Sequence, residues 1–169
     1  ISSVILHGEF AYKIKKPLDF GFLDFTTLER RRYFCREELR LNRRLAPQIY
    51  LDVVAISGTI TAPVLGGDGA PIEYAVRMRR FSQDALLSRL AESRDLPIEI
   101  ADKLAEQVAD FHARAARAVA DSPFAAPDAA LFPVLENFEQ IGPLLSEPEA
   151  VAQLGRLQRW SRDQYARLR

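Results

Sequence analysis

A lysine in a predicted strand and a glutamate on the next predicted helix are the residues of this sequence best suited to chemistry. Residues 10–16, closed by Pro17, are typical of a strand, in which Ala11 and Lys13 point to the same face. A lysine that faces a protein interior is costly unless its ammonium has a partner. Glu38 offers that partner, because it lies near the centre of the apolar stripe of the following helix. The sequence therefore offers an inward Lys13–Glu38 ion pair as one arrangement of these residues, although spacing alone favours a Lys13 that extends to solvent.

Three alternatives to this pair remain open from spacing alone. Glu37 is the second choice for the partner, and Lys15 shares a strand face with Lys13, so that the assignment could slip by two residues. In the third, Lys13 extends to solvent and Glu38 is a half-exposed helix residue. Burial of an ion pair is often neutral or unfavourable for stability, so a buried pair here favours a functional role.

The elements that must position these residues are predicted from periodicity and from turn and capping signals. Thr26 and Glu29 have the spacing of a capping box, which starts a helix that runs to about Leu45 and stops before Pro47. Its apolar stripe is predicted to run through Phe34, Leu41 and Leu45. Strands are expected around this helix at residues 4–6, 10–16, 52–57, 59–64 and 72–78.

The second half of the chain is predicted to be helical throughout. Apolar residues recur there at three- and four-residue spacing in four segments, near 86–90, 100–115, 131–145 and 151–168. The fold class is therefore α+β, an antiparallel sheet with one helix over residues 1–80 followed by an all-helical segment over 82–169.

Composition narrows the class of protein. The 169 residues carry 23 Lys and Arg against 23 Asp and Glu, which argues against a surface that binds polyanions as a whole. The single Cys35 excludes a disulfide framework, and with two histidines it makes a metal-ligand cluster improbable. The sequence has no apolar run as long as the roughly 20 residues of a membrane span, and no signal peptide is visible, so we expect a cytoplasmic protein without membrane partners.

Several segments together resemble a known family. The order of strand, lysine, loop, glutamate helix and hairpin is similar to the small lobe of a protein-kinase-like fold, and most of all to aminoglycoside-phosphotransferase-like kinases. Within that group, the chain resembles the kinase-like half of two-part bacterial proteins whose other half is a P-loop ATPase. The segments that carry the resemblance are 8–17, 21–25, 37–47 and 136–141.

The resemblance implies a role for each residue of a nucleotide site. Lys13 would lie on the third strand of the family's small lobe and hold the α- and β-phosphates of ATP, and Glu38 would orient it. Ala11 would lie against the adenine. The hinge, which would offer backbone hydrogen bonds to the adenine edge, would comprise Met78, Arg79, Arg80 and Phe81. ATP and Mg²⁺ are the implied cofactors, and the implied partners are a nucleotide, an unknown small-molecule hydroxyl acceptor and a P-loop ATPase domain in the same polypeptide.

The catalytic machinery of such kinases is missing from this sequence. No His-Gly-Asp segment occurs, and Asp19-Phe20-Gly21, which looks like a magnesium motif, precedes the helix and would lie in the wrong lobe. No catalytic or metal-binding residue is therefore assigned. The phosphate-covering loop would precede Ile1 and the catalytic loop would follow Arg169, so we expect a piece truncated at both ends and inactive alone.

Two other functions fit the sequence. One is a catalytically inactive kinase-like module that binds or regulates, which the absence of a catalytic loop downstream would favour. The other is a nucleic-acid binder that uses the predicted arginine helix. Glutamates interleave with these arginines and the chain is neutral, so a solvated face of ion pairs is the better interpretation. The seven arginines are at positions 30, 31, 32, 36, 40, 43 and 44.

Overall fold

A five-stranded antiparallel sheet organises the first part of the chain. The computed structural model describes residues 1–92 and 97–168. Its strands follow the order β1-β2-β5-β3-β4 across the sheet, which curls so that both edge strands line one cleft. The strands are β1 (Ser2–His7), β2 (Phe10–Lys15), β3 (Tyr50–Gly58), β4 (Pro63–Leu65) and β5 (Glu73–Arg79).

Five helices complete the described parts of the chain, which confirms the predicted α+β class. They are α1 (Leu28–Asn42), α2 (Leu87–Glu92), α3 (Ile98–Arg114), α4 (Asp128–Ile141) and α5 (Pro148–Leu168), with short 3₁₀ turns at Gln83–Ala85 and Gly142–Leu144. None of the helices described is both long and apolar enough to cross a membrane.

The chain divides into two compact units, Ile1–Phe111 and His112–Arg169. The first holds the sheet, α1, α2 and most of α3, so it extends beyond the predicted small lobe of residues 1–80. The second holds α4 and α5, which contact each other, and within it the Tyr165 hydroxyl bonds the Asp128 carboxylate at 2.6 Å. The expected truncation at Arg169 lies outside the described residues.

Helix α1 begins one residue later than the predicted capping box. Thr27 is the N-cap, and its hydroxyl accepts a hydrogen bond from the Arg30 amide at 3.2 Å. The Thr26 hydroxyl instead donates to Asp24 at 2.6 Å, so the predicted cap at Thr26 is wrong. The amide and the hydroxyl of Thr26 both donate to the Asp24 carboxylate, so the Thr26 side chain does not cap the helix.

The short strand β4 also lies later than predicted. Residues 59–62 form a tight turn in which the backbone of Thr59 and that of Ala62 exchange two hydrogen bonds of 3.2 Å each. Gly58 enters this turn with a φ of 85°, a conformation that favours glycine. Pairing with β3 therefore starts at Pro63 instead of Thr59.

The buried face of α1 differs from the apolar stripe that we predicted. Leu41 and Leu45 are 41% and 44% exposed, whereas Cys35 is fully buried and Arg31 is 9% exposed. These buried residues, together with Glu38, recur at four- and three-residue spacing on one face of the helix. The predicted stripe is therefore wrong at Leu41 and Leu45, whereas Phe34 is half-buried, and polar side chains with partners on the sheet occupy part of the inward face.

Arg31 anchors α1 to the sheet and to the preceding loop. Its Nε lies 2.8 and 2.9 Å from the two carboxylate oxygens of Glu73 on β5. Its Nη1 donates to the carbonyl oxygens of Phe25 and Thr26, each at 3.0 Å. One guanidinium thus fixes the helix, the last strand and the end of the loop relative to one another.

Arg31→Met should therefore destabilise the fold, because it leaves a largely buried Glu73 carboxylate without its cation. Removal of one member of a buried pair costs about 3–5 kcal/mol, and we expect a loss in this range from the free energy of unfolding in urea. Arg40→Met is the matched control, since Arg40 forms an exposed i,i+3 pair with Glu37 on the same helix. Equal unfolding midpoints for the two variants would contradict the anchoring role.

Candidate functional site

The carboxylate of Glu38 binds two lysines of β2 at once. Lys13 Nζ lies 2.8 Å from Oε1 and Lys15 Nζ lies 2.7 Å from Oε2. Both lysines point to the same side of the sheet because they alternate along one strand, and α1 lies on that side. The predicted Lys13–Glu38 pair therefore forms, with Lys15 as an additional member.

The two lysines differ in their access to solvent. The side chain of Lys13 is 33% exposed, against 7% for Lys15 and 12% for Glu38. The Lys15 ammonium lies 5.0 Å from the centre of the Phe25 ring, which is itself buried. Lys13 is thus the outer cation of the cluster and Lys15 the inner one.

Glu38 stays ionised in this environment. Burial raises the pKa of its carboxyl, but the hydrogen bonds from Lys13 and Lys15 and their positive charges outweigh burial, and the net effect is a lowered pKa. With both lysines protonated, the cluster carries two positive charges and one negative charge. It therefore keeps one unit of positive charge on a partly buried wall.

The alternative partner, Glu37, faces elsewhere. Its carboxylate binds Arg40 at 2.7 Å on the exposed side of α1. That hydrogen bond from Arg40 lowers the pKa of Glu37. Among the residues that the structure describes, Glu38 and not Glu37 forms the ion pairs with Lys13 and Lys15.

Lys13 lines a cleft of about 830 Å³ on the α1 side of the sheet. Every residue predicted for the nucleotide site except Glu38 borders this cleft, and Glu38 reaches it through Lys13. Ala11 and Met78 are register partners on β2 and β5, so together they form one part of the wall. The predicted residues that line the cleft are Ala11, Lys13, Met78, Arg79, Arg80 and Phe81.

The backbone of the predicted hinge is partly occupied by the fold itself. The Arg79 amide donates to the Ile49 carbonyl and the Arg80 amide donates to the Glu9 carbonyl, each at 2.8 Å. These two amides cannot also bind a ligand without breaking those bonds. Backbone recognition by this segment would have to use its carbonyl oxygens or the amide of Phe81.

Five residues of the cleft were not predicted, and strand register could have identified three of them. Val4 pairs with Lys13, Leu6 with Ala11 and Tyr50 with Met78, so each flanks a predicted residue on the same face. The other two, Ser82 and Gln83, begin the 3₁₀ turn that follows β5, which is too short to carry a periodic signal.

The segment Asp19-Phe20-Gly21 forms a local turn. The Asp19 carboxylate accepts a hydrogen bond from the Gly21 amide at 2.8 Å, and Gly21 has a φ of 79°. Over residues 1–92 and 97–168, no group of three or more His, Cys, Asp or Glu side chains is arranged to hold a metal ion.

Three curated proteins resemble this chain in sequence, one from Mycobacterium bovis and two from strains of Mycobacterium tuberculosis. Each is 40% identical over 115 residues, which is 68% of this chain and 21% of the relative, and all three are described as uncharacterized. The chain thus spans about a fifth of the length of the curated relatives it matches. No protein-family profile and no solved structure matches the chain. Its function has to be inferred from its own residues.

Glu38→Gln should destabilise the fold at neutral pH and much less in acid. At pH 7 the substitution leaves the buried Lys15 without a counter-charge, at a cost of about 3 kcal/mol. The folded-state pKa of Glu38 is below its usual value of 4.5, so its contribution is complete above that pH and is lost as pH falls through the folded-state pKa. Urea unfolding at pH 7 and below pH 4 measures the difference between the variant and the wild type, which should narrow in acid. A difference that is constant with pH would contradict an ionised Glu38.

Cys35 should be unreactive in the folded protein. Its thiol is fully buried, and burial raises its pKa to about 11, although the nearby Lys15 charge partly opposes that rise. At pH 8 a disulfide reagent such as Ellman's should modify it only as fast as the protein opens, and fully in denaturing urea. The denatured chain is the control, and rapid modification under native conditions would contradict the burial.

Proposed function

We propose that this chain is the nucleotide-binding part of an ATP-dependent phosphotransferase that acts on a small-molecule hydroxyl. The observation that supports it most is the Lys13–Glu38–Lys15 cluster on the wall of a cleft that the other predicted site residues also line. The cleft volume of 830 Å³ lies within the range of about 300–1,000 Å³ that is typical of small-ligand sites.

The charge of the cluster suits a phosphate group. An excess positive charge on a partly buried wall attracts an anion more strongly than it would in bulk water, because the local dielectric is lower. Lys13 presents this charge to the cleft, and its hydrogen bond to Glu38 Oε1 fixes where its ammonium sits. Lys13 would thus bind the α- and β-phosphates, with Glu38 as the residue that orients it.

The rest of the cleft suits a planar base. Ala11 is small, and with Met78, Tyr50 and Phe81 it supplies an apolar surface beside the charged wall. In this proposal the adenine lies against Ala11. The carbonyl oxygens of the hinge and the amide of Phe81 then bind its edge, since the Arg79 and Arg80 amides are engaged.

The complete reaction requires groups beyond those seen here. The bond from the γ-phosphorus to the β–γ bridging oxygen breaks, a new bond forms to the acceptor oxygen, and the hydroxyl proton passes to a base. Mg²⁺, when bound, would neutralise the phosphate charge during this transfer. Its carboxylate ligands are not grouped in the described residues, so this chain's own contribution is to bind and orient the nucleotide. An inactive kinase-like module would share that contribution and lack the transfer.

The arginine-helix alternative has less support from the contacts. Arg30 binds Asp24, Arg31 binds Glu73 and Arg40 binds Glu37. Two further guanidinium groups stack on aromatic rings, Arg32 over Tyr74 and Arg44 over Phe111. Carboxylates within the fold thus compensate three of the seven arginine charges, and two more guanidinium groups are held against rings, which reduces what this helix can offer to a nucleic-acid backbone.

Lys13→Met should weaken the binding of ATP but not that of adenosine. Because Lys13 would contact the phosphates only, we expect ATP affinity to fall about tenfold or more, from the loss of a charge-assisted bond of about 1.5–3 kcal/mol. Adenosine affinity should change little. Isothermal calorimetry with ATP and adenosine measures both, and Lys16→Met is the matched control because Lys16 is an exposed neighbour of the same type.

The outcomes separate a phosphate site at Lys13 from a nucleic-acid surface on the arginine helix. Loss of ATP binding in Lys13→Met with normal binding in Lys16→Met would support a phosphate site at Lys13. Equal ATP affinity in the wild type and Lys13→Met would overturn it. Salt-dependent binding to DNA or RNA that is lost on neutralising Arg30–Arg32 would favour the arginine-helix alternative instead.

A further inference from the structure

We propose that Lys15 is a positioning residue for the phosphate site, which holds the second oxygen of Glu38 so that Lys13 can be shared with a bound phosphate. This inference rests on the proposed function. Lys15 does not line the cleft, and its side chain is 7% exposed, so it acts through Glu38 and not on the ligand directly.

The two lysines bind different oxygens of the Glu38 carboxylate. Lys13 binds Oε1 and Lys15 binds Oε2, at 2.8 and 2.7 Å, so neither oxygen is contested. Without Lys15, both oxygens of Glu38 would be available to Lys13, and the pair would be electrically neutral. A phosphate would then have to compete for Lys13 with a half-buried carboxylate that has no other cation.

Lys15 also keeps Glu38 satisfied once the ligand is bound. When the Lys13 ammonium also binds a phosphate, its interaction with the Glu38 carboxylate weakens, and less positive charge offsets that carboxylate. A carboxylate that is only 12% exposed tolerates that loss if a second ammonium remains in contact. Lys15 thus reduces the free-energy cost of a Lys13 ammonium that binds both Glu38 and a phosphate.

The surroundings of Lys15 are built to keep it in place. The Phe25 ring covers its ammonium and is 2% exposed, and the Phe25 carbonyl is bound by Arg31. Burial keeps the neighbouring Cys35 thiol protonated by raising its pKa, so the thiol does not compete as an anion. Glu73, the other nearby carboxylate, is engaged by Arg31. Glu38 is thus the anion with which Lys15 pairs.

The test compares ATP with adenosine in variants of the full chain, so that damage common to both ligands cancels. Lys15→Met should lower the ratio of ATP to adenosine affinity about tenfold, as expected for a charge-assisted contact. Lys15→Arg keeps the charge and should restore most of the ratio. Lys16→Met is the control and should leave it unchanged.

A second pair of variants separates positioning from a simple loss of charge. In a Glu38→Gln background no carboxylate competes for Lys13, so the further change Lys15→Met should alter the ratio far less than it does in the wild type. This background also removes the unpaired carboxylate. If Lys15→Met alone does not fold, the step from Glu38→Gln to the double variant still tests the inference, because a tenfold loss of the ratio on that step would overturn it. An equal loss in both backgrounds would overturn the inference.

The two proposals fail in different ways. If Lys13→Met lowers the ratio while Lys15→Met and Lys15→Arg leave it at the wild-type value, the phosphate site stands and the role of Lys15 is wrong. If the wild type shows no preference for ATP over adenosine, the proposed function is wrong and the role of Lys15 fails with it.

Discussion

The largely buried carboxylate of Glu38 is the constraint on which the arrangement of the first unit depends. An anion that is 12% exposed has to be neutralised, and two ammonium groups of β2 do so at 2.8 and 2.7 Å. This requirement fixes the rotation of α1 about its own axis. It also fixes the position of α1 along β2, because Lys13 and Lys15 are two residues apart on that strand. The helix therefore cannot turn or slide without separating charges in a region of low dielectric.

A second charged contact on the inward face of α1, between Arg31 and Glu73, adds to this constraint. Arg31 lies seven residues before Glu38 on the same face and binds Glu73 on β5. Three ion pairs to two different strands hold the helix in one orientation, whereas an apolar stripe alone would tolerate several. Such pairs add less to net stability than their short distances suggest, because each charge loses hydration. Their effect here is on geometry, which a site that presents one lysine to a cleft requires.

Sequence reasoning identified the strands that carry the site, because alternation along a strand is a local property. Spacing offered the Lys13–Glu38 pair only as one arrangement, and the resemblance to kinase-like proteins selected it. Sequence reasoning misplaced the inward face of α1, since it assigned that face to Leu41 and Leu45. Burial of Arg31 depends on Glu73, which is 42 residues away, and no local pattern reports such a partner. The shift of the N-cap to Thr27 has a different, local cause, a side-chain contact between Asp24 and Thr26 that the capping-box spacing does not include.

The unequal exposure of the two lysines decides what kind of ligand the cleft can favour. Within this cluster, a neutral ion pair would add no net charge to the wall, and a lone lysine would be free to extend to solvent. Two cations on one carboxylate give a net positive charge, and Lys13 is the lysine of the cluster that borders the cleft. A metal cation would be repelled by this wall, and a purely apolar ligand would leave Lys13 desolvated without a new partner. An anionic group attached to an apolar body satisfies both parts of the cleft, and a nucleotide is a ligand of this kind.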